Sequence, residues 1–176
     1  SDYQRAKIEA EAEGLSVLYL AVDGNLVGAI GIEDPLKSDV AESIARLKDL
    51  GFDRIVMLTG DNGRAAARIA GEAGIEEYEA NLLPEQKHAY VERLFSQGRR
   101  VVMVGDGVND SPALSAANVG VAMAAGTAIA KEVADITLSD GDLASLVSLR
   151  MLSTNLMRRL DASFAQVIAV NSALLA

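Results

Sequence analysis

The stretch from Val101 to Leu114 reads Val-Val-Met-Val-Gly-Asp-Gly-Val-Asn-Asp-Ser-Pro-Ala-Leu, and few folds accommodate it. Four consecutive apolar residues, 101–104, predict a short strand of the kind buried on both faces in a parallel sheet. The run breaks at Gly-Asp-Gly and a helix follows, with Pro112 suited to its first turn. In open α/β sheets, ligands bind just outside the carboxyl ends of the strands. Asp106 and Asp110 thus leave the sheet where a ligand would sit, and the glycines flanking Asp106 keep the backbone accessible. Two carboxylates and the Asn109 amide at i, i+3 and i+4 form a hard-oxygen cluster, which suits Mg²⁺ beside a phosphate better than a softer metal. A plainer reading also stands, in which Asn109 and Asp110 cap a helix and shape a loop.

The rest of the chain supplies the setting. Ser1 to Glu13 is polar, reads as a helix stopped by Gly14, and lacks the pattern of a signal peptide. Leu15–Val22 and Leu26–Ile32 predict two strands joined by a hairpin turn at Asp23-Gly24-Asn25. Pro35 disfavours helix at Asp34 and marks an element boundary. Beyond it helix and strand alternate: helix Val40–Leu50, strand Ile55–Leu58, helix Gly63–Ala73, a short strand over 76–80, helix Pro84–Ser96, then the strand over 101–104. Val119–Met123 and Ile136–Leu138 predict further strands, Thr127–Val133 a short helix, and Asp142 onward a long one. Such alternation indicates an α/β fold, a Rossmann-like parallel sheet with helices on both faces.

Composition narrows the chemistry. The net charge of −9 and the lack of any clustered basic face argue against a nucleic-acid partner. Without cysteine there is no disulfide, thiolate metal site or cysteine nucleophile in this sequence. From Ala162 to Ala176 no residue is charged, and Arg158 and Arg159 precede the run. A bilayer takes about 20 apolar residues, so on the residues alone a buried terminal helix is the favoured reading, with the first turns of a membrane helix as the other.

Thr59-Gly60-Asp61-Asn62 repeats the logic of the first stretch: an apolar strand, a glycine-containing turn, a helix start. A threonine hydroxyl and backbone N–H groups at a helix N-terminus can hold a phosphoryl group, although Thr and Asp also serve as ordinary caps. Lys87 falls in the first turn of the helix after Pro84, where it is either a solvated charge or a point charge for phosphate oxygens. His88, the single histidine, reads as a surface residue, and no Gly-x-Ser-x-Gly elbow accompanies it. Neither nucleotide-loop glycine motif is present. Asp140-Gly141-Asp142 reads as a turn and helix cap rather than a metal site.

Taken together, Thr59-Gly60-Asp61, Lys87 and Gly105-Asp106-Gly107-Val108-Asn109-Asp110 resemble the second, third and fourth motifs of the haloacid-dehalogenase-like superfamily. More narrowly, Met57–Asn62 and Met103–Leu114 resemble the phosphorylation domain of P-type ATPases, most closely the heavy-metal-transporting subgroup, with Ser111 where the family usually has alanine. The resemblance implies that Asp106 binds Mg²⁺ with Asp110, that Asn109 and Asp110 orient that region, that Thr59 and Gly60 hold the phosphoryl oxygens beside Asp61, and that Lys87 neutralises the transferring charge. It implies Mg²⁺ and ATP as cofactors, a metal cation as cargo, and a cell-membrane location with this part on the cytoplasmic side. It also divides the chain. Residues 1–33 would end a nucleotide-binding domain, 34–150 would be the phosphorylation domain, and 151–176 would be a stalk entering a membrane helix, which reverses the reading of a buried terminal helix.

One departure is large. The family's nucleophile is the aspartate of an Asp-Lys-Thr-Gly-Thr motif on the first strand, and no aspartate of this chain precedes Lys-Thr-Gly. Aspartate forms the covalent phosphoenzyme, so the resemblance implies an incomplete sheet and a chain that is inactive without the preceding part of its parent. A soluble phosphatase of the same superfamily is the alternative; a catalytically dead Mg²⁺- and phosphate-binding module is another.

Overall fold

The computed structural model describes residues 8, 16–32, 36–123 and 126–175. The helix expected over 1–13, its stop at Gly14 and the boundary at Asp34-Pro35 fall outside the described residues, Ile8 aside. Strands β1 (Ser16–Val22) and β2 (Asn25–Ile32) form an antiparallel hairpin in which Leu18 faces Ile30. At the turn, Asp23 and Gly24 adopt φ of 48° and 77°. Two positive φ values are the mark of the turn type whose twist matches paired strands, and Asp-Gly is a favoured sequence for it.

Helix α1 (Val40–Asp49) buries Ile44 and Leu47 on one face. Strand β3 (Val56–Leu58) runs parallel to β4 (Glu77–Glu79), with helix α2 (Gly63–Ala73) between them in sequence. The buried face of α2 is entirely alanine, Ala65, Ala66, Ala70 and Ala73. At its end Gly74 takes φ +69°; its N–H reaches the Gly71 carbonyl and that of Ile75 reaches Ala70, which satisfies two carbonyls the helix would leave open.

Helix α3 (Pro84–Ser96) leads to strand β5 (Val102–Gly105). A single 3₁₀ turn, Val108–Asp110, and helix α4 (Ser111–Ala116) follow. Strand β6 (Val119–Met123), helix α5 (Ala128–Val133) and strand β7 (Ile136–Leu138) complete a parallel sheet in the order β5-β6-β7. The parallel α/β architecture is as expected, but in two pieces: no strand among the described residues joins β3 to β5. Side chains bridge them instead. Leu47, Val121, Leu138, Leu146 and Val147 form a buried cluster, and Phe52 and Ile55 from before β3 pack on it together with Val104 of β5. Each fully buried Val or Leu contributes about 1.5–3 kcal/mol, so this shared core is what holds the pieces in register.

Helix α6 (Leu143–Leu175) runs for 33 residues. Its first turns pack on α1 through Leu146 and Val147. Arg150 fastens the next turn: its Nε donates to the Leu50 carbonyl at 3.3 Å and its guanidinium lies over the Phe52 ring at 5.6 Å. From Asn155 to Leu174 every residue is exposed, Phe164 by 66% and Leu174 by 79%. The buried terminal helix favoured on the residues alone is therefore not found, because no described element extends far enough to cover it. No helix among the described residues is long and apolar enough to cross a membrane.

Candidate functional site

Asp110 occupies the N-cap position of α4, yet its side chain makes no capping hydrogen bond. The carboxylate instead accepts from the Lys87 ammonium at 2.8 Å, 23 residues away in sequence. Both side chains are largely enclosed, 14% exposed for Lys87 and 13% for Asp110. Of the two readings open to Asp110, this geometry excludes the simple cap. Gly105 makes the packing possible, since a Cβ there would lie 2.7 Å from the Asp110 Cβ.

Asp106, the residue after β5, has a different environment. Its side chain is exposed and has no hydrogen-bond or ion-pair partner among the described residues. Its carbonyl accepts the Thr127 N–H at 2.9 Å, which fixes the backbone of the glycine-flanked loop. Asn109 is exposed in the 3₁₀ turn. No group of three or more histidine, aspartate or glutamate side chains is gathered for a metal among the described residues. Two carboxylates still suit Mg²⁺, which keeps much of its water and is bound through one or two protein carboxylates plus substrate phosphates.

The Thr59 loop at the end of β3 is stitched to the chain that leads into α3. The Thr59 N–H donates to the Glu79 carbonyl, the Leu82 N–H to the Thr59 carbonyl, and the Asn81 N–H to the Asp61 carbonyl. Gly60 lies against the same segment, with the Leu82 carbonyl 3.4 Å from where a Cβ would be. Lys87 is one turn beyond, in α3, so a short run of backbone links Thr59 to the Lys87–Asp110 pair. The Thr59 hydroxyl donates to the Asp61 carboxylate at 2.9 Å and accepts the Asp61 N–H at 3.1 Å. Asn62 caps α2 by accepting from Arg64 and Ala65, so those two amides are occupied.

Two further features, an ion pair and a pair of close glycine contacts, leave no mark in the sequence. Arg54 pairs through two nitrogens with the Glu77 carboxylate and donates to the Tyr90 hydroxyl at 3.3 Å, tying β3, β4 and α3 together. The guanidinium holds Glu77 below the usual carboxylate range. Gly120 presses its backbone on Leu114, and Gly126 presses on the carbonyls of Met123 and Asp106. Asp140-Gly141-Asp142 forms the expected turn and cap: Asp142 accepts from Ala144, and Asp140 accepts from Ser145, whose hydroxyl holds its carboxyl low. A carboxyl–carboxyl interaction between Asp39 and Asp142 raises the first and lowers the second. His88 pairs with Glu92 one turn on, at the surface.

Comparison with known proteins gives a consistent result. The family model for haloacid dehalogenase-like hydrolases matches residues 2–118. A copper-exporting P-type ATPase of Bacillus subtilis (strain 168) is 44% identical over 164 residues, covering 93% of this chain and 20% of that protein. A silver exporting P-type ATPase of Salmonella typhimurium is 46% identical over 160 residues, 90% of this chain and 19% of its own. The chain spans about a fifth of the length of these curated relatives. Among solved structures, a zinc-transporting PIB-type ATPase aligns with a TM-score of 0.70 at 40% identity, over 91% of this chain and 27% of its own. The catalytic domain of the CPx-ATPase CopB-B aligns with a TM-score of 0.65 at 32% identity, over 75% and 52%.

Proposed function

The chain belongs to the haloacid dehalogenase-like hydrolase family, and from that premise we propose that it is the phosphorylation-domain part of an ATP-driven heavy-metal exporter. The observation that carries this reading is the enclosed Lys87–Asp110 pair, with Asp106, whose side chain has no partner among the described residues, just past the end of β5. Phosphoryl transfer asks a protein mainly for positioning and charge stabilisation. Lys87 supplies a cation held in place by Asp110. Asp106 offers an exposed carboxylate to Mg²⁺, with Asp110 and Asn109 close in sequence. Mg²⁺ held there by Asp106 and Asp110 would supply positive charge that offsets the charge of the phosphoryl group. Thr59 and Gly60 offer a hydroxyl and backbone to the phosphoryl group, and the Thr59 hydroxyl would turn from Asp61 to donate to it.

The nucleophile lies outside this chain, in the preceding part of the parent. There an aspartate oxygen would form the bond to the γ-phosphorus of ATP as the bond to the β,γ-bridging oxygen breaks and ADP leaves; water would later hydrolyse the acyl phosphate. In this reading residues 1–33 end the nucleotide-binding part, 34–150 form the phosphorylation domain, and 151–176 are a stalk that continues into the membrane, leaving this part on the cytoplasmic side. The exposed apolar side chains of Phe164, Val167, Ile168 and Leu174 support that continuation. The transported metal cation is the parent's cargo.

Incubation with labelled ATP and Mg²⁺ tests the proposal. The purified chain is expected to form no phosphoaspartate, the full-length parent to form one, and Asp106→Asn in the parent to abolish it at ordinary Mg²⁺. A phosphorylated aspartate within this chain, or a parent indifferent to Asp106→Asn, would refute the assignment.

A further inference from the structure

We infer that Gly126 and Thr127 are positioning residues for Asp106, a role that rests on the reading of Asp106 as the Mg²⁺ carboxylate. Asp106 sits between two glycines, so its own neighbours restrict its backbone little. The constraint comes from the far side of β6. The Thr127 N–H donates to the Asp106 carbonyl at 2.9 Å, and the Gly126 N–H donates to the Met123 carbonyl at 2.8 Å. A Cβ at Gly126 would stand 2.8 Å from the Asp106 carbonyl oxygen and 2.7 Å from that of Met123. Both neighbours are backbone and cannot swing aside, so only glycine lets Thr127 reach Asp106. The Thr127 hydroxyl separately accepts the Ala130 N–H at 3.3 Å and caps α5. A hydrogen bond that orients a metal ligand commonly changes affinity by about 10–100-fold when removed.

The Thr127 backbone offers a clean test. Its φ of −64° is the value a proline ring imposes. Thr127→Pro therefore keeps the local φ but deletes the N–H, together with the hydroxyl cap, and its ring Cδ, standing where the amide hydrogen was, pushes the Asp106 carbonyl away. Thr127→Ala deletes the cap alone and serves as its control. Magnesium chloride is titrated into the isotope-labelled chain, and the amide signals of Gly105, Asp106 and Gly107 report binding. Thr127→Ala is expected to bind as the unchanged chain does, and Thr127→Pro about ten-fold more weakly, while melting lower than Thr127→Ala because a hydrogen-bonded N–H is lost. Equal Mg²⁺ affinity in the two variants overturns the inference. An unchanged chain whose 105–107 signals ignore Mg²⁺ instead overturns the reading of Asp106 on which it rests. Should Thr127→Pro fail to fold, Gly126→Ala carries the same expectation, since it displaces the Asp106 carbonyl without removing any donor.

Discussion

Replacing Lys87 by methionine lowers stability by about 3 kcal/mol, near the foot of the 3–5 kcal/mol range for breaking a buried ion pair because both side chains keep slight exposure. For a chain of this size that is a fall in melting temperature of roughly 6–12 °C. Most of the loss comes from Asp110, whose carboxylate would stay enclosed against Gly105 with the Lys87 ammonium gone. Adding Asp110→Asn to Lys87→Met removes that charge and is expected to recover more than half of the loss. In the full-length parent the same Lys87→Met change is expected to slow phosphoenzyme formation about 10²–10³-fold, the usual cost of losing one preorganised group that stabilises developing charge. Thermal melts of the single and double variants check the first expectation. A Lys87→Met chain that melts with the unchanged one would mean the pair carries no stability.

Gly120→Ala costs at least about 3 kcal/mol, the top of the ordinary range for overpacking. The added Cβ would lie 2.7 Å from the Leu114 carbonyl oxygen and 3.2 Å from its carbon. These are backbone atoms of α4, and Leu114 is itself only 1% exposed, so the helix must move as a body. Its N-terminus carries Asp110, so the displacement is expected to loosen the Lys87 pair as well. Gly71→Ala is the matched control. A Cβ there meets nothing within 4 Å, and in the last turn of α2 the change is expected to stabilise by about 0.5–1 kcal/mol. Denaturant unfolding of both variants checks the contrast, and similar stabilities for the two would contradict the contact.

Most elements were legible because their signals are local. Helices Gly63–Ala73 and Pro84–Ser96 and strands Val119–Met123 and Ile136–Leu138 have the bounds that apolar spacing and glycine stops predict. Pro112 falls in the first turn of α4 as expected, and Thr127, the first residue of the predicted short helix, is the cap of α5. What stayed hidden depends on contacts between distant parts of the chain. Asp110 has the sequence position of a cap, and only the fold brings Lys87 to it. The donor that fixes Asp106 is a backbone N–H, which every residue but proline possesses and which leaves no mark in a sequence. Glycine is visible at positions 105, 120 and 126, but the neighbour that forbids a side chain is not. The resemblance implies an incomplete sheet, but where it breaks, between β3 and β5, is a property of pairing, since each strand alone reads as part of a parallel sheet.

In the proposed function Thr59, Lys87 and Asp106 serve one Mg²⁺-bound phosphoryl group. The most direct measurement is a titration of the labelled chain with inorganic phosphate at saturating Mg²⁺, followed at the amides of Gly60, Lys87 and Gly107. All three are expected to respond with one midpoint, and Asp106→Asn to abolish the three responses together. Separate midpoints, or a response confined to one of the three, would contradict a shared site.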